Sequence, residues 1–453
     1  MLSSALTPWR RAGVLLSVLV LALAACTGAE TPTPTATGTS AATDGGPVEI
    51  GQVLMVSSQL VPVEEQEAMN NEVLADFGGE VEFIGLDGGP FNDQIRAEGE
   101  AGEGEISVIG GLHGEFSSFA ADDLLMDLSD IAGELADLGI NEDYLELGKL
   151  GTDQQLYIPW MQATYIMAAR QEAMEYLPDG ADVNALTWDQ ITEWGANIEE
   201  ATGERKLGFP AGEDGLWHRF FQGYGYPAFT GGVNTTFASD AAVEMWTWLQ
   251  DTWPYVNPQS TTYGFMQEPL LSGEVWVAWD HVVRLRDAFT TEPENFVAMP
   301  APAGPEGRAF MPVVAGLAIP TWASNAEGAK ELIRYLLQPA AQGATLSAVG
   351  FYPVISAELE GELDPGIQAI QEAVAAMTEA DDALPSLLPV GLGEQGNAYS
   401  AVFRDAFQAI VIDGGDPAAV LETQKANLQA VLDTAGAACW PPDPESDGTC
   451  QVE

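Results

Sequence analysis

From residue 48 onward the apolar positions follow two alternating rhythms. Residues 48–56 (VEIGQVLMV) alternate and then run apolar, as a buried strand does, and in residues 63–77 Met69, Val73, Leu74 and Phe77 fall at helical spacing. Residues 81–86 predict a second strand, 91–98 a short helix, 106–109 a third strand and 116–125 another helical stretch. Strand and helix in turn imply an α/β fold, a parallel sheet with helices on its faces. Ligands of such sheets sit beyond the carboxyl ends of the strands. That directs attention to Ser57-Ser58-Gln59, Gly88-Gly89-Pro90 and Gly110-Gly111-Leu112-His113-Gly114-Glu115.

The first 47 residues follow neither rhythm. Arg10 and Arg11 precede an apolar run over residues 12–25, too short to span a bilayer permanently and of signal-peptide length. The run ends in Leu23-Ala24-Ala25-Cys26, which resembles the bacterial lipobox, where small residues admit the peptidase and the Cys thiol takes up the lipid. Residues 1–25 are therefore expected to be a lipoprotein signal peptide, with Cys26 the lipidation site; the export route, general secretory or twin-arginine, stays open. Residues 26–47 are rich in Thr and Pro with almost no large apolar side chain, the composition of an extended tether. No later stretch approaches the roughly 20 apolar residues a membrane span needs. The body is thus expected to be exported and attached to the outer face of the cell membrane through its N-terminal lipid only.

Charge narrows the function classes. Fifteen Lys and Arg stand against 68 Asp and Glu in 453 residues, a net charge of −53; removing residues 1–25 takes two arginines and no acids, leaving 13 against 68, or −55. Such a field repels phosphate backbones, so nucleic acid is excluded as a partner, while a cationic solute would be attracted. A hydrophobic content of 46% and an aromatic content of 9% exclude disorder along the whole chain. With Cys26 lipidated, Cys439 and Cys450 remain, an even number close together in an exported chain. They predict a disulfide in the C-terminal tail, residues 436–453, that orders the tail locally.

Catalytic motifs are missing. His113, His218 and His281 lack the helical spacing of a zinc site, Leu271-Ser272-Gly273 has no glycine two residues before its serine, and no phosphate-cradling loop occurs. No metal, no cofactor and no enzymatic activity are expected.

Four segments carry a family resemblance. Leu156-Tyr157-Ile158-Pro159-Trp160, with Thr164 to Ala169 and Gln171-Glu172-Ala173-Met174 after it, is similar to "LYGLPY…LYYNKDLL"; Leu186-Thr187-Trp188-Asp189-Gln190-Ile191 resembles "KTWDEL", with Thr187 as N-cap. Leu271-Ser272-Gly273-Glu274 leading to Val275-Trp276-Val277-Ala278-Trp279-Asp280 resembles "FxSGKAAM" and the strand after it. Ala315 to Pro320, Gln338-Pro339-Ala340-Ala341-Gln342 and Gly350-Phe351-Tyr352-Pro353 resemble "GxxxAIPK…SPEAQ…GxxP". In this order, over about residues 48–410, they resemble the extracellular solute-binding proteins of family 1, receptors that deliver sugars to ABC importers.

The resemblance implies a type II periplasmic-binding-protein fold, two α/β lobes with the ligand in a cleft between them and several hinge crossings. The crossings are expected near residues 158–162, 296–300 and 337–342. Lobe 1 would comprise residues 48–159 and 299–338, and lobe 2 residues 160–298 and 339–453. The partners implied are a sugar or oligosaccharide and the membrane permease subunits, with the receptor a monomer. Alternatives are a receptor for a polyamine or other cationic solute, and a cell-surface carbohydrate hydrolase.

A sugar offers hydroxyls that donate and accept and C–H faces that pack on rings, so its site wants polar and aromatic side chains together. The resemblance places Trp160, Trp217, Trp279, Tyr352 and Tyr399 at the cleft, with His113 and Glu115 on one side and Asp280, His281 and Arg284 on the other. Gln59, Asn92 and Gln162 complete the ligand-binding candidates. The chain departs from the family at Trp279-Asp280-His281-Val282, where members often carry Gly and Trp after the strand.

Overall fold

The computed structural model describes residues 50–359 and 363–453. The signal peptide, the tether and Cys26 lie outside them. Twelve strands occur among the described residues: β1 Gln52–Ser57, β2 Glu80–Gly85, β3 Val108–Leu112, β4 Ile158–Ala163, β5 Tyr165–Arg170, β6 Leu207–Gly208, β7 Val277–His281, β8 Phe296–Met299, β9 Arg308–Phe310, β10 Val313–Ala318, β11 Tyr352–Pro353 and β12 Ala383–Pro385. They form a six-stranded sheet in the order β11-β4-β10-β3-β1-β2, a four-stranded sheet β6-β7-β5-β8 and a small β12-β9 pair. Two α/β lobes follow, one built on each of the larger sheets.

The alternating strand and helix rhythm maps onto the first of these. β1 pairs in parallel with β2 and β3, setting Met55 opposite Phe83 and Val108; the helical residues 63–73 make the crossover from β1 to β2 and helix Gly88–Ala101 the one from β2 to β3. The other end of the sheet is not parallel. β10 runs antiparallel to both β3 and β4, and β11 antiparallel to β4. These strands come from chain that leaves for the second sheet and returns, a connection that reverses direction where a βαβ unit would not.

This moves the expected lobe edges. β4 stays in the first sheet through Ala163, beyond the expected limit at residue 159, and Tyr352 pairs with Gln162. Residues 339–353, expected in lobe 2, thus run through helix Pro339–Val349 back into the first sheet, because Gln342 donates to the Trp160 and Leu336 carbonyls at 2.8 Å and accepts from the Val354 amide at 3.1 Å.

Between β4 and β5 stands Thr164, the one residue between the two sheets at the outgoing crossing. Its Oγ1 donates to the Met311 carbonyl at 3.0 Å, tying the outgoing crossing to the returning one. Tyr224 pins the same place: its hydroxyl accepts from the Tyr165 amide at 2.9 Å and donates to the Tyr165 carbonyl at 3.0 Å. In the second lobe, helix Trp188–Thr202 starts at Thr187, whose Oγ1 accepts from the Gln190 amide while Gln190 Oε1 accepts from the Thr187 amide, a reciprocal cap.

Cys439 and Cys450 are disulfide-bonded. Inside the loop they close, buried Asp443 accepts from the amides of Val233, Asn234 and Thr235, from Asn234 Nδ2 and from Thr235 Oγ1 at 2.6–3.0 Å. The tail is therefore a clasp on the second lobe, with more than local consequence.

Candidate functional site

Two cavities flank the crossing strands. Successive residues of extended chain face opposite ways, and accordingly Gln162, Phe310 and Pro312 line one cavity, about 1070 Å³, while Tyr165 and Val313 line the other, about 740 Å³. The first is walled by helix Glu142–Gly148 and by the tail at Cys439 and Trp440. The second lies beyond the carboxyl ends of β1, β3 and β7, where Ser58 and Gln59, Leu112, and His281 open into it, so this is the candidate site.

The first-lobe wall is built from a turn under constraint. After β1, Leu60 adopts φ 59°, left-handed backbone that a leucine rarely holds, and it is buried. The turn is fixed by the Ser58 amide donating to the Gly110 carbonyl and the Gln59 amide donating to Ser57 Oγ, both at 3.0 Å. Gly85 must lack a side chain here, since a Cβ would collide with the Leu60 carbonyl. Ser58 Oγ donates to Glu115 at 2.5 Å, and the Leu112 amide donates to the same carboxylate at 2.7 Å. Burial pushes the Glu115 carboxyl up, against the pull of these two donors. Glu115 thus positions Ser58 from behind and lines neither cavity.

The second-lobe wall carries the charge. Arg219, Arg284, Arg286, Asp287 and His281 line the cavity with Tyr165 and Phe265, and Glu64, Glu65 and Phe351 face in from the first lobe. Arg284 donates to the carbonyls of Gly264 at 2.8 Å and Asp214 at 3.2 Å and lies 4.1 Å over the Phe265 ring. His281 stands edge-on to Tyr165 at 4.9 Å; burial first, then Arg284, lowers its pKa to about 3, so it is a neutral ring. Asp280 is fully buried. It accepts from the Met266 amide at 2.9 Å and the His281 amide at 2.7 Å, and burial raises it to about 6 against the pull of Arg284.

Of the candidates read from sequence, Gln59, His281 and Arg284 line this cavity, and His113 and Gln162 line the other. Gln162 accepts from the Tyr144 hydroxyl at 2.5 Å and donates to the Pro353 carbonyl at 2.7 Å, a link across the sheet edge. Asn92 donates to the Gly88 carbonyl within its own helix and lines neither cavity. The structure places the aromatic candidates elsewhere. Trp160, Trp217, Trp279, Tyr352 and Tyr399 are all buried and line neither cavity. Trp279 is stacked on Tyr165 at 4.7 Å and edge-on to Tyr224 and Phe220, and Trp217 is stacked on Phe220 at 4.4 Å. Tyr399 donates to Asn234 Oδ1 at 2.9 Å beneath Trp440. They are packing residues, so the rings at the cavity are Tyr165, Phe265 and Phe351, with Glu64, Glu65, Arg219, Arg286 and Asp287 the charges the sequence reading missed. Among the described residues no group of three or more His, Cys, Asp or Glu is placed to hold a metal, and no helix is long and apolar enough to cross a membrane.

His113 gives a pH prediction. Its Nδ1 is 2.8 Å from the Tyr157 hydroxyl, and burial lowers its pKa to about 4 from the ordinary 6.5. The unfolded chain takes up a proton below pH 6.5 that the folded chain refuses until near pH 4. His113 therefore contributes stability above pH 6.5 that is lost as the pH falls toward 4. Measured by urea unfolding, the stability of the parent relative to His113→Gln is expected to fall by about 1 kcal/mol per pH unit across that window. A difference independent of pH contradicts the neutral, buried ring.

A family model described as bacterial extracellular solute-binding protein matches residues 62–343. Solved structures similar to the chain include the maltose-bound MalE3 of T. maritima, at 18% identity and a TM-score of 0.66 over 84% of this chain and 100% of that one. The GacH receptor of Streptomyces glaucescens aligns at 16% identity and 0.65, covering 84% and 98%. UgpB from Mycobacterium tuberculosis, in complex with glycerophosphocholine, aligns at 17% identity and 0.63, covering 85% and 99%. At these identities the likeness is one of fold. No curated protein matches the chain.

Proposed function

Because the chain belongs to the bacterial extracellular solute-binding protein family, we propose that it captures a sugar or oligosaccharide in the cavity between Ser58, Tyr165 and Arg284 and delivers it to the permease of an ABC importer. The observation that carries this reading is the composition of that cavity. It combines hydroxyl, amide, carboxylate and guanidinium groups with three aromatic rings, drawn from both lobes, which is the mixture a ring of hydroxyls and C–H faces requires. Thr164 and the returning residues at Pro312 supply the hinge, with lobe 1 taken to include residues 50–163 and 313–353. Closure would bring Ser58 and Gln59 onto a ligand already resting on the Arg219 and Arg284 wall, so ligand favours the closed form through contacts made only there. In this reading the receptor is a monomer, exported and held at the outer face of the membrane through lipid on Cys26. Three arginines in the cavity weigh against a polyamine.

A thermal-shift panel of maltose, chitobiose, galacturonate and spermidine tests it. A ligand present at 100 times its dissociation constant should add about 2.7 kcal/mol of stability, without being hydrolysed. A shift with spermidine alone, or turnover of an oligosaccharide, rejects the reading.

A further inference from the structure

Basic side chains are scarce in this protein, and where they stand is informative. Among the described residues there are thirteen Lys and Arg, and eight of them lie within 4.0 Å of a carboxylate: Arg96, Lys149, Arg170, Arg205, Lys206, Arg308, Lys330 and Arg334. With 68 acids in the chain this is the expected fate of an arginine. Of the five without such a partner, three, Arg219, Arg284 and Arg286, line one cavity. A fourth, Arg404, sits just behind, its Nη2 2.9 Å from His218 Nδ1 on the residue before Arg219.

The carboxylates near this cluster are otherwise arranged. Glu115 is engaged by Ser58 and the Leu112 amide, and Asp280 by the Met266 and His281 amides. Glu64 and Glu65 face the cavity from the first lobe and Asp287 from the second; none of the three lies within 4.0 Å of an arginine among the described residues, and Arg284 and Arg286 act on Glu65 only from farther off, against the burial that raises its pKa. Arg219 has Gln222 Oε1 as its acceptor at 2.9 Å, and Arg284 spends one nitrogen on loop carbonyls. Arg286 donates to the Ser347 carbonyl, and its Nε is buried without a partner. A guanidinium is a fork whose parallel donors match a carboxylate or phosphate. A chain of net charge −53 repels an anion at long range, so capturing one requires such a local cluster.

Resting on the receptor reading above, we propose that the natural ligand is an acidic saccharide, and that Arg219, Arg284 and Arg286 hold its carboxylate or phosphate against the second-lobe wall. Burial lowers the pKa of Arg219, and Arg404 adds to the effect, while Tyr165, Tyr399 and Glu115 pull the other way.

The test is isothermal titration of the purified protein with two matched pairs: digalacturonate against galactobiose for the carboxylate, glucose 6-phosphate against glucose for the phosphate. One acidic member is expected to bind at least tenfold more tightly than its neutral partner, and which pair shows the preference identifies the acid. Arg219→Gln and Arg284→Gln should each abolish about tenfold or more of that preference. Arg286→Gln, which disturbs neither the Gly264 nor the Asp214 loop, keeps the test decisive if Arg284→Gln lowers the melting temperature. Equal affinity for acid and neutral partner, or a preference unchanged in all three variants, overturns the inference. Silence toward both acids also overturns it. Binding of maltose or chitobiose then leaves the sugar-receptor reading standing, while silence toward them removes that reading as well.

Discussion

Replacing Asp443 by alanine is expected to destabilise the folded chain by about 4 kcal/mol, the largest effect expected of any single substitution in the C-terminal tail. Its carboxylate accepts five hydrogen bonds from residues 233–235, and the site is buried. A hydrogen bond to a charged acceptor is worth roughly 1.5–3 kcal/mol, and donors left unsatisfied in a buried place cost more than the mean bond contributes. The sum is not additive, because residues 233–235 would relax toward water once the tail lifts. Asp443→Asn keeps the shape and loses the charge, and about half the cost is expected. The measurement is urea unfolding with the Cys439–Cys450 bond intact; a loss under about 1 kcal/mol for the alanine variant would show that the tail does not clasp the lobe.

Trp279→Ala is expected to cost a similar amount, about 4 kcal/mol, by emptying the centre of an aromatic cluster. Trp279 touches Tyr165 face to face and Tyr224, Phe220 and Trp217 edge to face, and is 0% exposed. Its indole nitrogen has no partner among the described residues, so the loss is one of packing and transfer. Ligand affinity should fall only through Tyr165, which lines the cavity. Trp279→Phe keeps a ring under Tyr165 and should therefore restore most of the affinity while recovering only part of the stability. If Trp279→Phe binds no better than Trp279→Ala while both remain folded, the indole itself touches ligand and the packing assignment is wrong.

These two residues show what the sequence did and did not disclose. The strand and helix alternation of residues 48–121 was legible because β1 and β3 are buried and the helical segments after them bury Met69 and Val73, and Phe116 and Phe119, at helical spacing, which period alone reveals. The turn at Ser58 and Gln59 followed from the rule for carboxyl ends of parallel strands. The antiparallel half of the first sheet was not legible, since β3 meets β10 only across about two hundred residues of chain that local patterns do not connect. Trp279 could not be placed either. Every residue of β7 is buried, so its sequence carries no alternation to separate a cleft face from a core face. Asp443 was one acid among 68 in a Pro- and Gly-rich tail. Arg219 and Arg286 had a signal in their rarity: in a chain with so few basic residues, each one merited attention before any aromatic did.

Closure of the two lobes about Thr164 by a bridging saccharide is tested most directly by small-angle X-ray scattering with and without saturating saccharide. A smaller radius of gyration on binding, abolished when Ser58→Ala and Gln59→Ala are combined to strip the first-lobe contacts, is the predicted result. Saturation by the saccharide with an unchanged radius of gyration would contradict it.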